Sequence, residues 1–123
     1  MILKRVGLLV APLTYWKASK AEKKRVCNGC GAKGWKGKLV PETIWGCCVT
    51  PACNVHDWMY EEGGLESHKE TADEMFLANM LALIDEYTDW KFIKWLRGQR
   101  ARTYYKAVKK MGESYFKYKN PLV

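Results

Sequence analysis

The sequence predicts a mainly α-helical protein with two antiparallel core helices, a glycine-rich loop before them and a basic helix after them. Apolar residues in the second half of the chain recur with the 3.6-residue period of a helix. Helix-start residues, glycine pairs and capping patterns divide this half into separate segments. No stretch shows the strict alternation of a half-buried strand. We therefore expect no regular β-sheet.

The length of 123 residues predicts one domain over residues 1–123, with 48% hydrophobic residues to supply its core. No uninterrupted apolar run of about 18 residues is present, so no transmembrane span is expected. Residues 1–26 begin with basic residues and contain a short apolar run from Val6 to Trp16. This is a weak signal-peptide pattern, and the charged residues that follow favour a retained N-terminal segment. Residues 17–26 are expected to form a surface helix or linker.

Residues 27–46 are dense in glycine and contain Pro41, a composition that excludes a regular element. A loop of this length in a small domain is usually functional or disordered. Trp35 and Trp45 favour an ordered loop.

The first core helix is predicted to begin with Thr50 as N-cap and Pro51 in its first turn, and to end at Gly63. Ser67 and Glu70 form the pattern of a capping box for a second helix that reaches Tyr87. The helix pair therefore covers residues 51–87, and its short connection predicts an antiparallel arrangement. The second helix has an apolar stripe of Ala72, Met75, Phe76, Met80, Leu83 and Ile84.

A third, basic helix is expected over residues 89–113, capped by Thr88 or Asp89 and ended by Gly112. Its basic residues belong to an uneven charge pattern along the chain. Residues 1–38 carry ten Lys or Arg and one acid, residues 39–89 one Lys and eleven acids, and residues 90–123 ten Lys or Arg and one acid. Two basic arms around an acidic centre suit a protein that meets an anionic surface and holds a cation in the middle.

Asp73 is the first candidate for catalysis. It lies in line with the apolar stripe of the second helix, three residues before Phe76 and seven before Met80. A carboxylate in such a position is costly unless a donor bonds it. His56 on the facing helix is the obvious partner, with Tyr60 one turn beyond it. The carboxylate would fix the tautomer of the imidazole and leave its other nitrogen to take a proton from water.

Asp57 is the candidate metal ligand, because the glycine-rich segment 28–34 precedes it. Such a segment allows backbone carbonyls to turn inward, as hard cations require. A carboxylate beside this loop predicts a calcium site.

Three segments resemble the phospholipase A2 family. Cys53-Asn54-Val55-His56-Asp57-Trp58-Met59-Tyr60 is similar to its C-x-x-H-D-x-C-Y motif, with Met59 in place of the usual cysteine. Ala72-Asp73-x-x-Phe76 resembles the segment that carries the His-supporting aspartate, and Cys30-Gly31-x-x-Gly34 a variant of the calcium loop. The resemblance covers about residues 27–80, and the short helix connection looks more like the bacterial and viral members.

This resemblance implies a phospholipase A2-like fold and calcium-dependent hydrolysis of the sn-2 acyl ester of glycerophospholipids. His56 would activate water, Asp73 would orient His56, and Tyr60 would support this pair. Asp57 would bind calcium with both carboxylate oxygens. The shell of the ion would be completed by backbone carbonyls near Gly29, Gly31 and Lys33 or Gly34. A disulfide between Cys30 and Cys53 would join the loop to the helix.

A zinc-binding module is the main alternative. Its candidate ligands are Cys27, Cys30, Cys47, Cys48, Cys53 and His56. It ranks second because it gives Asp57, Tyr60 and Asp73 no role. The odd number of cysteines leaves the choice between disulfides and a soft metal open.

The basic aromatic segment 90–119 fits either nucleic acid or an anionic membrane surface. The lipid chemistry implied by the resemblance favours a phospholipid membrane as partner and makes nucleic acid the weaker hypothesis. A secreted or a viral or phage-associated protein is favoured over a resident cytoplasmic one. A non-catalytic, membrane-disturbing homologue stays possible. Head-group preference and oligomeric state are left open.

Overall fold

The computed structural model describes residues 1–27, 36 and 39–119, and this part of the chain is mainly helical, as predicted. Two small hairpins precede the long helices. The strands are β1 (Leu3–Val6), β2 (Leu9–Pro12), β3 (Thr43–Ile44) and β4 (Cys47–Cys48). The helices are α1 (Leu13–Lys17), α2 (Lys20–Val26), α3 (Thr50–Glu62), α4 (Glu66–Tyr87) and α5 (Lys91–Met111), followed by a 3₁₀ turn at Gly112–Ser114.

The two hairpins are not visible as a strand pattern in the sequence, because their strands are too short to show alternation. β1 pairs antiparallel with β2 around Gly7, and β3 pairs antiparallel with β4. The side chain of Asn79 on α4 bonds both the N–H and the C=O of Val10 at 2.9 Å. This contact fixes β2 on the helix pair, so the apolar N-terminal segment forms a hairpin and packs on the core. The β3–β4 hairpin begins inside residues 27–46, the segment in which no regular element is predicted.

Helix α3 begins one residue earlier than predicted, with Val49 as N-cap and proline in its first turn. It ends at Gly63, which adopts φ 66° and whose N–H donates to the carbonyl of Met59. A Cβ at Gly63 would overlap the carbonyl oxygen of Lys117. Glycine is therefore required here both for its backbone conformation and for the close passage of the C-terminal segment.

Helix α4 begins differently from the prediction. Its N-cap is Leu65, whose N–H donates to Nδ1 of His68 at 2.9 Å, so His68 rather than the Ser67–Glu70 pair caps this end. The predicted stripe is buried with the exception of Met75, which is half-buried. His56 in the middle of α3 contacts Asp73 in the middle of α4, and Cys47 just before α3 contacts Leu83 near the end of α4. The two helices therefore run antiparallel, as expected.

Helix α5 packs along α4 and buries Ala101 and Val108. Trp90 is its N-cap, so the expected caps Thr88 and Asp89 are wrong; the Thr88 hydroxyl instead accepts a hydrogen bond from Arg97. The helix ends at Gly112 as predicted. In the described part of the chain, no helix is long and apolar enough to cross a membrane.

The core has two apolar clusters, and each contains residues of both α3 and α4. One contains Val40, Ile44, Phe76 and Met80, and the other Tyr15, Trp58, Met59, Ala72 and Phe116. Four of the buried polar side chains contact one another in a linked group: Lys36, His56, Lys69 and Asp73. The helix pair thus places a small group of charges inside the protein.

Candidate active site

His56 and Asp73 form the centre of this buried group. Each is 1% exposed, and the His56 Nε2 to Asp73 Oδ1 distance is 2.8 Å. Because the two residues lie on different helices that pack through apolar neighbours, the geometry of the pair is fixed by the core. The structure therefore brings together the two residues that the sequence analysis paired.

Asp73 accepts two further hydrogen bonds. The Tyr60 hydroxyl donates to Oδ1 at 2.6 Å, and the Lys69 ammonium donates to Oδ2 at 2.8 Å. Burial by itself would raise the pKa of Asp73, but the hydrogen bonds from His56, Lys69 and Tyr60 outweigh it and lower that pKa. Burial and the neighbouring Asp73 carboxylate raise the pKa of Tyr60. Asp73 is thus an ionised acceptor held by three donors.

Lys69 is a member of the site that the sequence analysis missed. Its ammonium also donates to the backbone carbonyl of Lys109 on α5 at 3.0 Å, which connects α4 to α5. The signal was present in the sequence, because Lys69 is four residues before Asp73 and so on the same face of the helix.

Lys36 is the second missed residue, and it reaches the opposite side of the imidazole. Its side chain is 3% exposed, and its Nζ lies 3.0 Å from His56 Nδ1 and 3.0 Å from the carbonyl oxygen of Cys53. The same Nζ forms an ion pair with Asp57 Oδ1. No local pattern marks this lysine, because it is 20 residues before His56 and only the tertiary fold places it there.

The contact with Lys36 decides the tautomer of His56. An ammonium has three donor hydrogens and no acceptor, so Nδ1 of His56 must accept and Nε2 must carry the proton donated to Asp73. Burial, followed by the charge of Lys36, lowers the pKa of His56 to about 3, although Asp73 acts in the opposite direction. His56 is therefore neutral near pH 7, with the Nδ1 lone pair directed at Lys36.

Aromatic rings enclose the imidazole. The centroid of the His56 ring lies 4.1 Å from that of Tyr60 and 4.8 Å from that of Phe76. A Cβ at Gly112 would overlap the Tyr60 hydroxyl, so the end of α5 passes directly over this ring. The walls that exclude water from the His56–Asp73 pair thus come from α3, α4 and the end of α5.

The oxygen atoms around Lys36 Nζ fit a cation, since an ammonium already lies against the Asp57 carboxylate and the Cys53 carbonyl oxygen. Carboxylate and carbonyl oxygens are also the ligands that calcium prefers. The predicted carbonyl ligands at Gly29, Gly31, Lys33 and Gly34 lie outside the described residues. Within residues 1–27, 36 and 39–119, no group of three or more His, Cys, Asp or Glu side chains could hold a metal ion.

The cysteines do not form the alternative zinc site in the described part of the chain. Cys53 is disulfide-bonded, and the thiols of Cys27, Cys47 and Cys48 are free. Cys27 donates to the carbonyl of Asn54 at 3.3 Å, and burial raises its pKa to about 11. Cys30, the predicted disulfide partner of Cys53, lies outside the described residues.

No family model, curated protein or solved structure matches the chain. The likeness to phospholipase A2 is therefore a resemblance of sequence motifs alone.

Proposed function

We propose that the protein hydrolyses the sn-2 acyl ester of glycerophospholipids, with a water molecule activated by His56 as the nucleophile. The observation that carries this proposal is the orientation of His56. Its Nε2–H is bound by Asp73, while its Nδ1 lone pair faces the cation position beside Asp57. A base with a fixed tautomer next to a cation position suits ester hydrolysis.

In this mechanism Nδ1 of His56 takes a proton from water as the oxygen of that water bonds to the ester carbonyl carbon. The Asp73 carboxylate stabilises the imidazolium that forms, and Tyr60 and Lys69 keep that carboxylate in place. The imidazolium then returns its proton to the leaving glycerol oxygen as the ester C–O bond breaks. The products are a fatty acid and a lysophospholipid, and no acyl-enzyme is formed.

Calcium is part of the proposal, with Asp57 as its carboxylate ligand and the Cys53 carbonyl oxygen facing the same position. When bound, calcium supplies positive charge for the ester carbonyl and for the phosphate of the lipid. Lys36 occupies this position in the structure, so it has to move before the ion can bind.

The first prediction is calcium-dependent release of fatty acid from vesicles of mixed zwitterionic and anionic phospholipid. The lipids carry different acyl chains at sn-1 and sn-2, so mass spectrometry of the released fatty acid identifies the ester bond that the protein cleaves. Addition of a calcium chelator is expected to lower the rate by at least about a hundredfold, since one electrostatic contact to the reacting oxygen is worth that much. Absence of release across all head groups, or release of the sn-1 chain, would contradict the proposal.

The proposed lipid partner is supported by an exposed surface at the start of α5, which we call the aromatic–basic face. Its exposed aromatic members are Trp45, Tyr87, Trp90, Phe92 and Trp95; its basic members are Lys91 and Arg100, which are exposed, and Lys94 and Arg97, which are half-buried. Arg97 donates to the backbone carbonyl of Trp45, and Arg100 lies over the Trp45 ring at 5.9 Å. These contacts join the β3–β4 turn to α5 in one surface. Exposed tryptophan beside Lys and Arg is typical of contact with anionic membranes.

The second prediction is that replacing Trp90 and Trp95 with Ala weakens binding to anionic vesicles by at least about tenfold, because two aromatic rings no longer enter the interface. Vesicle co-sedimentation measures the binding. Tyr115→Ala is the control, since Tyr115 is also an exposed aromatic residue but follows α5 at its other end, about 30 Å away. Equal loss in the control, or tighter binding to oligonucleotides than to vesicles, would contradict a lipid-binding role for this face.

A further inference from the structure

We propose that Lys36 is an internal competitor for the calcium position, so that calcium binding and exposure of the catalytic nitrogen of His56 are a single event. This inference rests on the proposed function. It assigns to Lys36 a role that no motif of the sequence indicates, namely control of the site by a side chain of the protein itself.

The contacts of Lys36 carry the inference. The three hydrogens of its ammonium match three acceptors: Asp57 Oδ1, the Cys53 carbonyl oxygen and His56 Nδ1. The first two are oxygen ligands suited to calcium, and the third is the atom that must accept a proton from water. One cation thus engages both the metal ligand and the base, and a divalent ion at Asp57 would meet the like charge of Lys36 at close range.

The contacts of Lys36 show which part of this residue can move away from the site. Its backbone carbonyl accepts hydrogen bonds from the N–H groups of Leu39 and Val40, both at 2.8 Å, and Val40 is buried in the core. The backbone is therefore held, while the side chain has four rotatable bonds. Its Nζ also lies 5.6 Å from the centroid of the Phe76 ring, against the back wall of the site. Rotation of the side chain alone would remove the Lys36 ammonium from both Asp57 and His56.

Two consequences distinguish a competitor from a structural lysine. Displacing a buried ammonium from three acceptors costs free energy, so the wild-type protein must bind calcium more weakly than a protein without this ammonium. Binding must also change the environment of the Lys36 side chain itself. A lysine that only supports the loop would give the opposite result, because its removal would damage the calcium site.

The test is isothermal titration of calcium chloride into wild-type protein and into Lys36→Met, without lipid. We expect the variant to bind calcium at least about tenfold more tightly. The control is Lys24→Met, which removes the same charge from an exposed position on α2. Equal or weaker binding by Lys36→Met, or no calcium binding by either protein, would overturn the inference.

A second measurement uses the wild-type chain and does not depend on the folding of a variant. The buried Lys36 ammonium is expected to give a protected ¹⁵N–¹H signal in NMR spectra, which disappears as calcium is added. Persistence of this signal at saturating calcium would also overturn the inference. Both readouts are independent of hydrolysis. Competition without fatty acid release would therefore contradict the proposed function and leave the competition established.

Discussion

Replacing His56 with Gln is expected to lower fatty acid release by about a thousandfold, the usual contribution of a general base. A glutamine side chain can still donate a hydrogen bond toward Asp73 and accept one from Lys36, so the buried contacts are approximated. It cannot take a proton from water, however. Initial rates on vesicles, at calcium concentrations that saturate the wild-type protein, measure the loss.

The matched control is His68→Gln, because His68 is the other histidine of the chain. Its Nδ1 accepts the N–H of Leu65 at the start of α4 and does not take part in the site. This variant is expected to lose some stability and to keep its rate. Full activity in His56→Gln, or equal losses in both variants, would show that the measured hydrolysis does not come from His56.

The His56–Asp73 pair was predictable from the sequence because it follows from local rules. Asp73 lies on the face of α4 that has to be buried, and a buried carboxylate requires a donor. With only a few residues between the two helices, the facing side of α3 was the nearest source of that donor. Tyr60 followed from its position one turn after His56. His56, Tyr60 and Asp73 lie on two helices whose 3.6-residue period of apolar residues is visible in the sequence.

Lys36 could not be predicted in this way, because its position depends on how the loop packs against α3. The cap of α4 shows a similar limit. The Ser67–Glu70 pattern is a sound capping box, yet the imidazole of His68 bonds the N–H of Leu65 and the helix begins at Glu66. Competing caps one or two residues apart differ by little free energy, so tertiary contacts decide between them.

Asp73→Asn is expected to lower the free energy of unfolding by about 3–5 kcal/mol, the usual cost of breaking a buried ion pair. The ammonium of Lys69, which is 3% exposed, would lose its buried carboxylate partner, face a neutral amide and keep the longer, 3.7 Å ion pair with the exposed Glu113. Urea denaturation followed by circular dichroism measures the change. Asp85→Asn is the control, because Asp85 lies on the same helix and pairs with Lys94 at the surface. The Asp85→Asn variant is expected to lose less than about 1 kcal/mol of unfolding free energy.

The charge of Lys69 separates this explanation from a simple packing defect. In the wild-type background, Lys69→Met leaves Asp73 without one of its donors and is expected to destabilise the protein. In the Asp73→Asn background the same change removes a buried charge whose other ion pair is the longer, 3.7 Å contact with the exposed Glu113, so it is expected to raise the free energy of unfolding. A packing defect would give a loss in both backgrounds. Fatty acid release is expected to stay low in the double variant, because a neutral amide does not stabilise the His56 imidazolium as a carboxylate does.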